Sequence, residues 1–131
     1  MSYMNRLGNC HNKYQMYNKR VLCVCSAGLL RSPTAAVVLS QDPYNFNTRA
    51  AGISEEYALI QVDDVLLNWA DEIVCMEEYQ KHRLIYLLNG LNLLTPVICL
   101  DIKDNYSYRD PVLISHIKNQ YDKYYLAHEV E

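Results

Sequence analysis

The chain has 131 residues, half of them hydrophobic and 21% charged, which fits one domain with a core large enough to stand without disulfide staples. A net charge of −3 and an isoelectric point of about 5.8 supply no basic field for nucleic acid or an anionic membrane, yet leave room for a local anion site. Five cysteines, at positions 10, 23, 25, 75 and 99, contain no C-x-x-C pair, which argues against a zinc knuckle or a disulfide scaffold and for reduced thiols in the cytoplasm.

Residues 1–18 are polar, rich in Asn and Tyr, and hold no apolar run resembling a signal peptide. No stretch reaches the ~18 apolar residues of a membrane span. The segment reads as an N-terminal extension ahead of a single domain over 19–131, or as a cover for one sheet edge. Val21-Leu22-Cys23-Val24-Cys25 is a short continuous apolar run, the pattern of a parallel-sheet strand buried on both faces. Ser26 to Leu30 is a small-residue turn. A helix is expected from near Ser32-Pro33 through Leu39, because Pro is tolerated in a first turn. Phe46 to Ala51 reads as a second strand closed by Gly52. Val62, Val65, Leu66 and Trp69 share helical spacing, Glu72 to Met76 is a third strand, and Leu84, Leu87, Leu88 and Leu91 mark another helical face. Val97 to Leu100 is a fourth strand, followed by a polar loop from Asp101 to Arg109. Asp110-Pro111 opens a last helix with Ile114, Ile117, Tyr121 and Tyr124 or Tyr125 inward. Strands alternating with helices predict an α/β three-layer sandwich around a central four-stranded parallel sheet.

Chemistry concentrates in Cys25-Ser26-Ala27-Gly28-Leu29-Leu30-Arg31-Ser32-Pro33. The stretch falls at the C-terminal end of a strand, leading into a helix N-terminus, where a parallel sheet places its ligands. Backbone N–H groups of a loop there converge as an anion nest, and the helix dipole adds positive potential. That field and a nearby guanidinium favour a thiolate at Cys25. Arg31 can hold two phosphate oxygens with its planar fork, and Ser32 can donate to the cysteine sulfur. Nucleophile, cradle and cation together make a phosphate site acting through cysteine. Arg31 and the loop amides supply the positive charge, so neither metal nor cofactor is expected. Cys23, Cys75 and Cys99 read as buried strand filler.

The run Val-Leu-Cys-Val-Cys, five residues, then Arg-Ser-Pro resembles the C-x5-R-S-P signature of the low-molecular-weight protein tyrosine phosphatases. Thr48 to Ile53 is similar to the family's Ser-Ala-Gly-Thr strand end. Trp69 to Glu77 resembles the strand ending in Met-Asp or Met-Glu, and Cys99 to Tyr106 resembles the strand and acid loop. A short bacterial and phage subgroup with a D-I-x-D-x-Y loop matches more closely. The resemblance implies a cysteine-dependent phosphomonoester hydrolase of the protein tyrosine phosphatase type, with a phosphocysteine intermediate and a phosphorylated protein or small aryl phosphate as substrate. It implies Cys25, Arg31 and Asp104 as catalytic residues, and Ser26, Ala27, Gly28, Leu29, Leu30, Arg31 and Ser32 around the phosphate. The chain departs from the pattern at Ala27, Gly28 and Leu30, where the family has Gly, Asn and a second cysteine, and at Ala50, where a serine supports that Asn.

Two aspartates compete for the general acid. Asp104 follows the fourth strand on the edge of Cys25, with Tyr106 two residues on. Asp110 has the familiar Asp-Pro spelling, which is also a standard helix start; strand-end geometry favours Asp104. Asp101 reads as part of the strand end, and Tyr57 and Tyr106 are candidate flanks for an aromatic ester. Three other functions remain open: a phosphocysteine carrier resembling a sugar-phosphotransferase IIB component, a phosphate-binding pseudophosphatase, and arsenate reduction. The last needs two further cysteines close together, and Cys99 has none near it in sequence.

Overall fold

The computed structural model describes residues 9–10, 18–26, 31–54, 56, 58, 60–103 and 109–129. In chain order the elements are β1 (Asn9–Cys10), β2 (Arg20–Cys25), α1 (Arg31–Leu39), β3 (Asn47–Gly52), α2 (Asp64–Trp69), β4 (Glu72–Cys75), α3 (Glu78–Gly90), β5 (Val97–Cys99) and α4 (Pro111–Glu129). The sheet order is β1-β3-β2-β4-β5. β2, β3, β4 and β5 are mutually parallel. β1 adds a short antiparallel strand on the outer edge of β3, with Asn9 opposite Arg49 and Cys10 opposite Thr48.

The alternation of side chains along β2 divides the core in two. Val21, Cys23 and Cys25 face α1 and α4 in a layer with Ala35, Leu39, Met76, Ile98, Ile117 and Tyr121. Leu22 and Val24 face α2 and α3 in a layer with Leu66, Leu67, Ile73, Leu84 and Leu88. β2 is therefore apolar at every position from Val21 to Cys25 because it has no solvent face.

Helix starts follow local chemistry. Asp63 caps α2 by accepting from Leu66 N at 2.9 Å. Asp110 Oδ1 accepts from Val112 N at 2.8 Å ahead of Pro111, the first residue of α4. Gln80 Oε1 accepts from Glu77 N at 3.0 Å and from Met76 N at 2.9 Å at the start of α3.

One helical face differs from the sequence expectation. Val65 is 72% exposed, whereas Leu67 is buried. The spacing from Val62 ran through the cap: Val62 and Asp63 precede the helix, and Leu66, Leu67 and Ala70 set its inward side. Asp101 also lies beyond β5 rather than in it, exposed and with φ at +56°, a conformation that Asp tolerates better than most residues.

Candidate active site

The strand order reverses at β2: α1 leads to β3 on one side, and the chain returns over the other face to β4 on the other side. The carboxyl ends of β2 and β4 meet at this switch point, the ligand crevice of open α/β sheets. Cys25 closes β2 and is 3% exposed. Pairing continues past the strand, with Ile53 N donating to Cys25 O at 2.9 Å and Ser54 N donating to Ser26 O at 2.8 Å, so the entry to the loop is held in sheet register.

At the first turn of α1, Ser32 Oγ lies 3.1 Å from Cys25 Sγ and 3.3 Å from the Ala51 carbonyl oxygen. Arg31 begins the helix and is 3% exposed. Its Nη1 donates to Ile102 O at 2.8 Å and pairs with Glu77 Oε2 at 3.2 Å. Both partners come from strand ends: Glu77 follows β4, and Ile102 follows β5, where its N donates to Met76 O at 2.8 Å. The guanidinium is thereby held against the switch point by two elements distant in sequence.

Gln80, fully buried, joins these pieces. Its amide oxygen caps the β4 exit, as above, and its Nε2 donates to Ser26 Oγ at 3.3 Å and to Tyr79 OH at 3.2 Å. Tyr79 OH is itself hydrogen-bonded to Ser26 Oγ, so a half-exposed tyrosine stands beside the residue that follows the cysteine. Glu77, Tyr79, Gln80 and the Ile102 carbonyl are site components that sequence inspection missed. The Glu77–Gln80 spacing was a usable signal, since it is the spacing of a capping box.

The structure thus brings together Cys25, Ser26, Arg31 and Ser32. Ala27, Gly28, Leu29 and Leu30, and also Asp104, Tyr57 and Tyr106, lie outside the described residues. Among the described residues, the buried polar atoms without a partner are Asn47 Oδ1 and Arg49 Nε. Both belong to the beginning of β3, the end away from Cys25, so among the described residues no buried polar atom beside Ala50 is left without a partner.

No family model matches the sequence, and no curated protein matches it. Solved structures are. The YwlE arginine phosphatase from Geobacillus stearothermophilus superposes with a TM-score of 0.57 at 20% identity, over 84% of this chain and 97% of that one. The Erwinia amylovora tyrosine phosphatase AmsI gives 0.58 at 17% identity, over 84% and 93%. Vibrio vulnificus Wzb, solved in complex with benzylphosphonate, gives 0.58 at 20% identity, over 81% and 93%. The chain has the low-molecular-weight phosphatase fold. Within that fold, Cys25 occupies the end of the strand that leads into α1, and the neighbours are covered almost end to end.

Proposed function

We propose that the chain is a cysteine-dependent phosphomonoester hydrolase of the protein tyrosine phosphatase type. The observation that carries this is the placement of Ser32 Oγ at 3.1 Å from Cys25 Sγ, with the buried guanidinium of Arg31 on the same helical turn. In this mechanism the Cys25 thiolate attacks phosphorus, forming an S–P bond as the P–O bond to the leaving group breaks. Arg31 and the backbone amides from Ser26 to Ser32 hold the equatorial oxygens, where charge is carried in the transition state. Asp104 protonates the leaving oxygen, then takes a proton from the water that cleaves the phosphocysteine. Ser32 donates to the departing sulfur. The substrate is a phosphorylated protein or a small aryl phosphate, as the benzylphosphonate bound to the similar Wzb suggests for the class.

Two facts support Asp104 over Asp110. The carboxylate of Asp110 is committed to the α4 start through Val112 N. The segment 104–108 is bracketed by residues tied to α1: Ile102 O accepts from Arg31, and Arg109 N donates to Thr34 Oγ1 at 2.9 Å. Both anchors, Ile102 and Arg109, are thereby tied to the first two turns of α1.

The test is hydrolysis of an aryl phosphate by the wild type and by Cys25→Ser, Asp104→Asn and Asp110→Asn, with vanadate as competitor. Cys25→Ser should abolish turnover, vanadate should inhibit the wild type, and Asp104→Asn should lower kcat by about 10²–10⁴ while vanadate still binds. Stable phosphorylation of Cys25 by a phosphocarrier protein, without turnover, would refute the hydrolase. A kcat loss confined to Asp110→Asn would transfer the acid role.

A further inference from the structure

The parallel ladder of β4 and β5 sets Cys75 directly opposite Cys99. Adjacent strands lie about 4.8 Å apart, inside the ~4.4–6.8 Å span of Cα atoms that a disulfide bridges. Both side chains belong to the core layer under α2 and α3, and the Cys75 thiol donates to the Glu77 carbonyl oxygen at 3.8 Å. Cys75 is fully buried and Cys99 only half so. The pair is separated by the sheet from Cys25 and Cys23, which face the opposite layer.

We propose that Cys75 and Cys99 are a second thiol site, a dithiol that hydrogen peroxide oxidises to a disulfide between β4 and β5. Cys99 reacts first, because it is the thiol that solvent reaches. Its sulfur attacks one peroxide oxygen; the O–O bond breaks, Cys99 becomes a sulfenic acid, and the other oxygen leaves as water. Cys75 sulfur then attacks the sulfenic sulfur, the S–O bond breaks, and a second water departs with the Cys75 proton. Two thiols and one peroxide give one disulfide and two waters.

Burial raises both thiols above the ordinary range. With both thiols raised, access decides which one meets the oxidant first. A disulfide between directly opposed strand residues departs from relaxed geometry, and such bonds are the readily reduced ones. Its position gives it reach: Cys75 stands two residues before Glu77 and Cys99 three before Ile102, the two groups that accept from Arg31.

The reduced full-length chain, treated with a small excess of hydrogen peroxide, alkylated in denaturant and digested with trypsin, should yield the 50–81 and 84–103 peptides joined and separable by dithiothreitol. Recovery of Cys75 and Cys99 as alkylated thiols while Cys25 is oxidised would overturn the proposal, as would sulfinic acid at Cys99 with no linkage. Cys99→Ser, half-buried and conservative, should leave Cys75 fully alkylated; oxidation of Cys75 at the wild-type rate in that variant would refute the order of attack. Cys25→Ser should form the same link at an unchanged rate, independently of phosphatase activity. Disappearance of the link in that variant would show exchange through Cys25 and overturn the site.

Discussion

The hydroxyl of Ser32 has one proton and two acceptors within reach, the Cys25 sulfur and the Ala51 carbonyl. When Cys25 carries its own proton, the thiol donates to Ser32 and the hydroxyl donates to Ala51. A thiolate accepts only, so the hydroxyl proton turns toward sulfur when Cys25 ionises. A hydrogen bond to an ionised group contributes about 1.5–3 kcal/mol. Ser32→Ala should therefore lower kcat about ten- to a hundredfold with little change in KM, measured by steady-state aryl phosphate hydrolysis. Equal kcat values in the two proteins would remove Ser32 from the chemistry. The pairing of Cys25 with Ser32 was legible from the chain because the two stand seven residues apart across one turn. Glu77 was not legible as the partner of Arg31, because 46 residues and two strand crossings separate them.

At the scale of elements, helix starts and strand ends set the site. Gln80 caps α3 and reaches the residue after the cysteine, so one buried amide couples the β4 exit to the β2 exit. Truncation to Gln80→Ala leaves Met76 N and Glu77 N, close to the sheet interior, without an acceptor. The expected cost is about 1–3 kcal/mol, read as a lowered urea midpoint with an unchanged slope. An unaltered midpoint would mean that water replaces the amide. A capping residue such as Asp110 is readable in sequence because a cap is a contact over two or three residues. The phase of α2 was not, because a six-residue helix takes its orientation from the sheet it packs on. Leu66 and Leu67 are buried there while Val65 faces solvent.

Across the molecule, the ends of the strands away from Cys25 are fastened by charge. Glu72 is buried and accepts from Lys19 Nζ at 3.0 Å and Tyr121 OH at 2.8 Å, joining β4, the approach to β2, and α4. Beside it, Arg20 and Asp71 form a two-point pair, with Nη2 to Oδ1 at 3.0 Å and Nε to Oδ2 at 3.3 Å. The hydrogen bond from Arg20 holds the Asp71 carboxyl below its ordinary value of 3.8. A carboxyl lowered by folding stabilises the fold above its unfolded value and loses that contribution as pH falls through the lowered one. Both side chains are nearly half-exposed, so solvent screening limits the effect to about 0.2–1 kcal/mol. Tyr44 has the opposite sign. Burial and the 2.6 Å hydrogen bond to Asp122 raise its phenol above 10, so its contribution is complete below pH 10 and is lost as pH rises through the raised value. Denaturation followed against pH should show Asp71→Asn flattening the acid limb below about pH 4 and Tyr44→Phe flattening the alkaline limb. Unchanged limbs in both variants would refute these assignments.

The alternation of strand and helix, and the cysteine standing at a strand–helix junction, follow from short-range chemistry that a linear chain displays: apolar runs, caps, and nine consecutive residues from Cys25 to Pro33. Register and strand order are long-range, and they settled the rest. The reversal at β2 brings Glu77 and Ile102 to Arg31 and Gln80 to Ser26. The β4–β5 ladder joins Cys75 to Cys99 across 24 residues of sequence, where the chain itself offered each thiol no neighbour. Periodicity shows that a side chain is buried; which side chain it meets depends on how the strands are ordered and aligned.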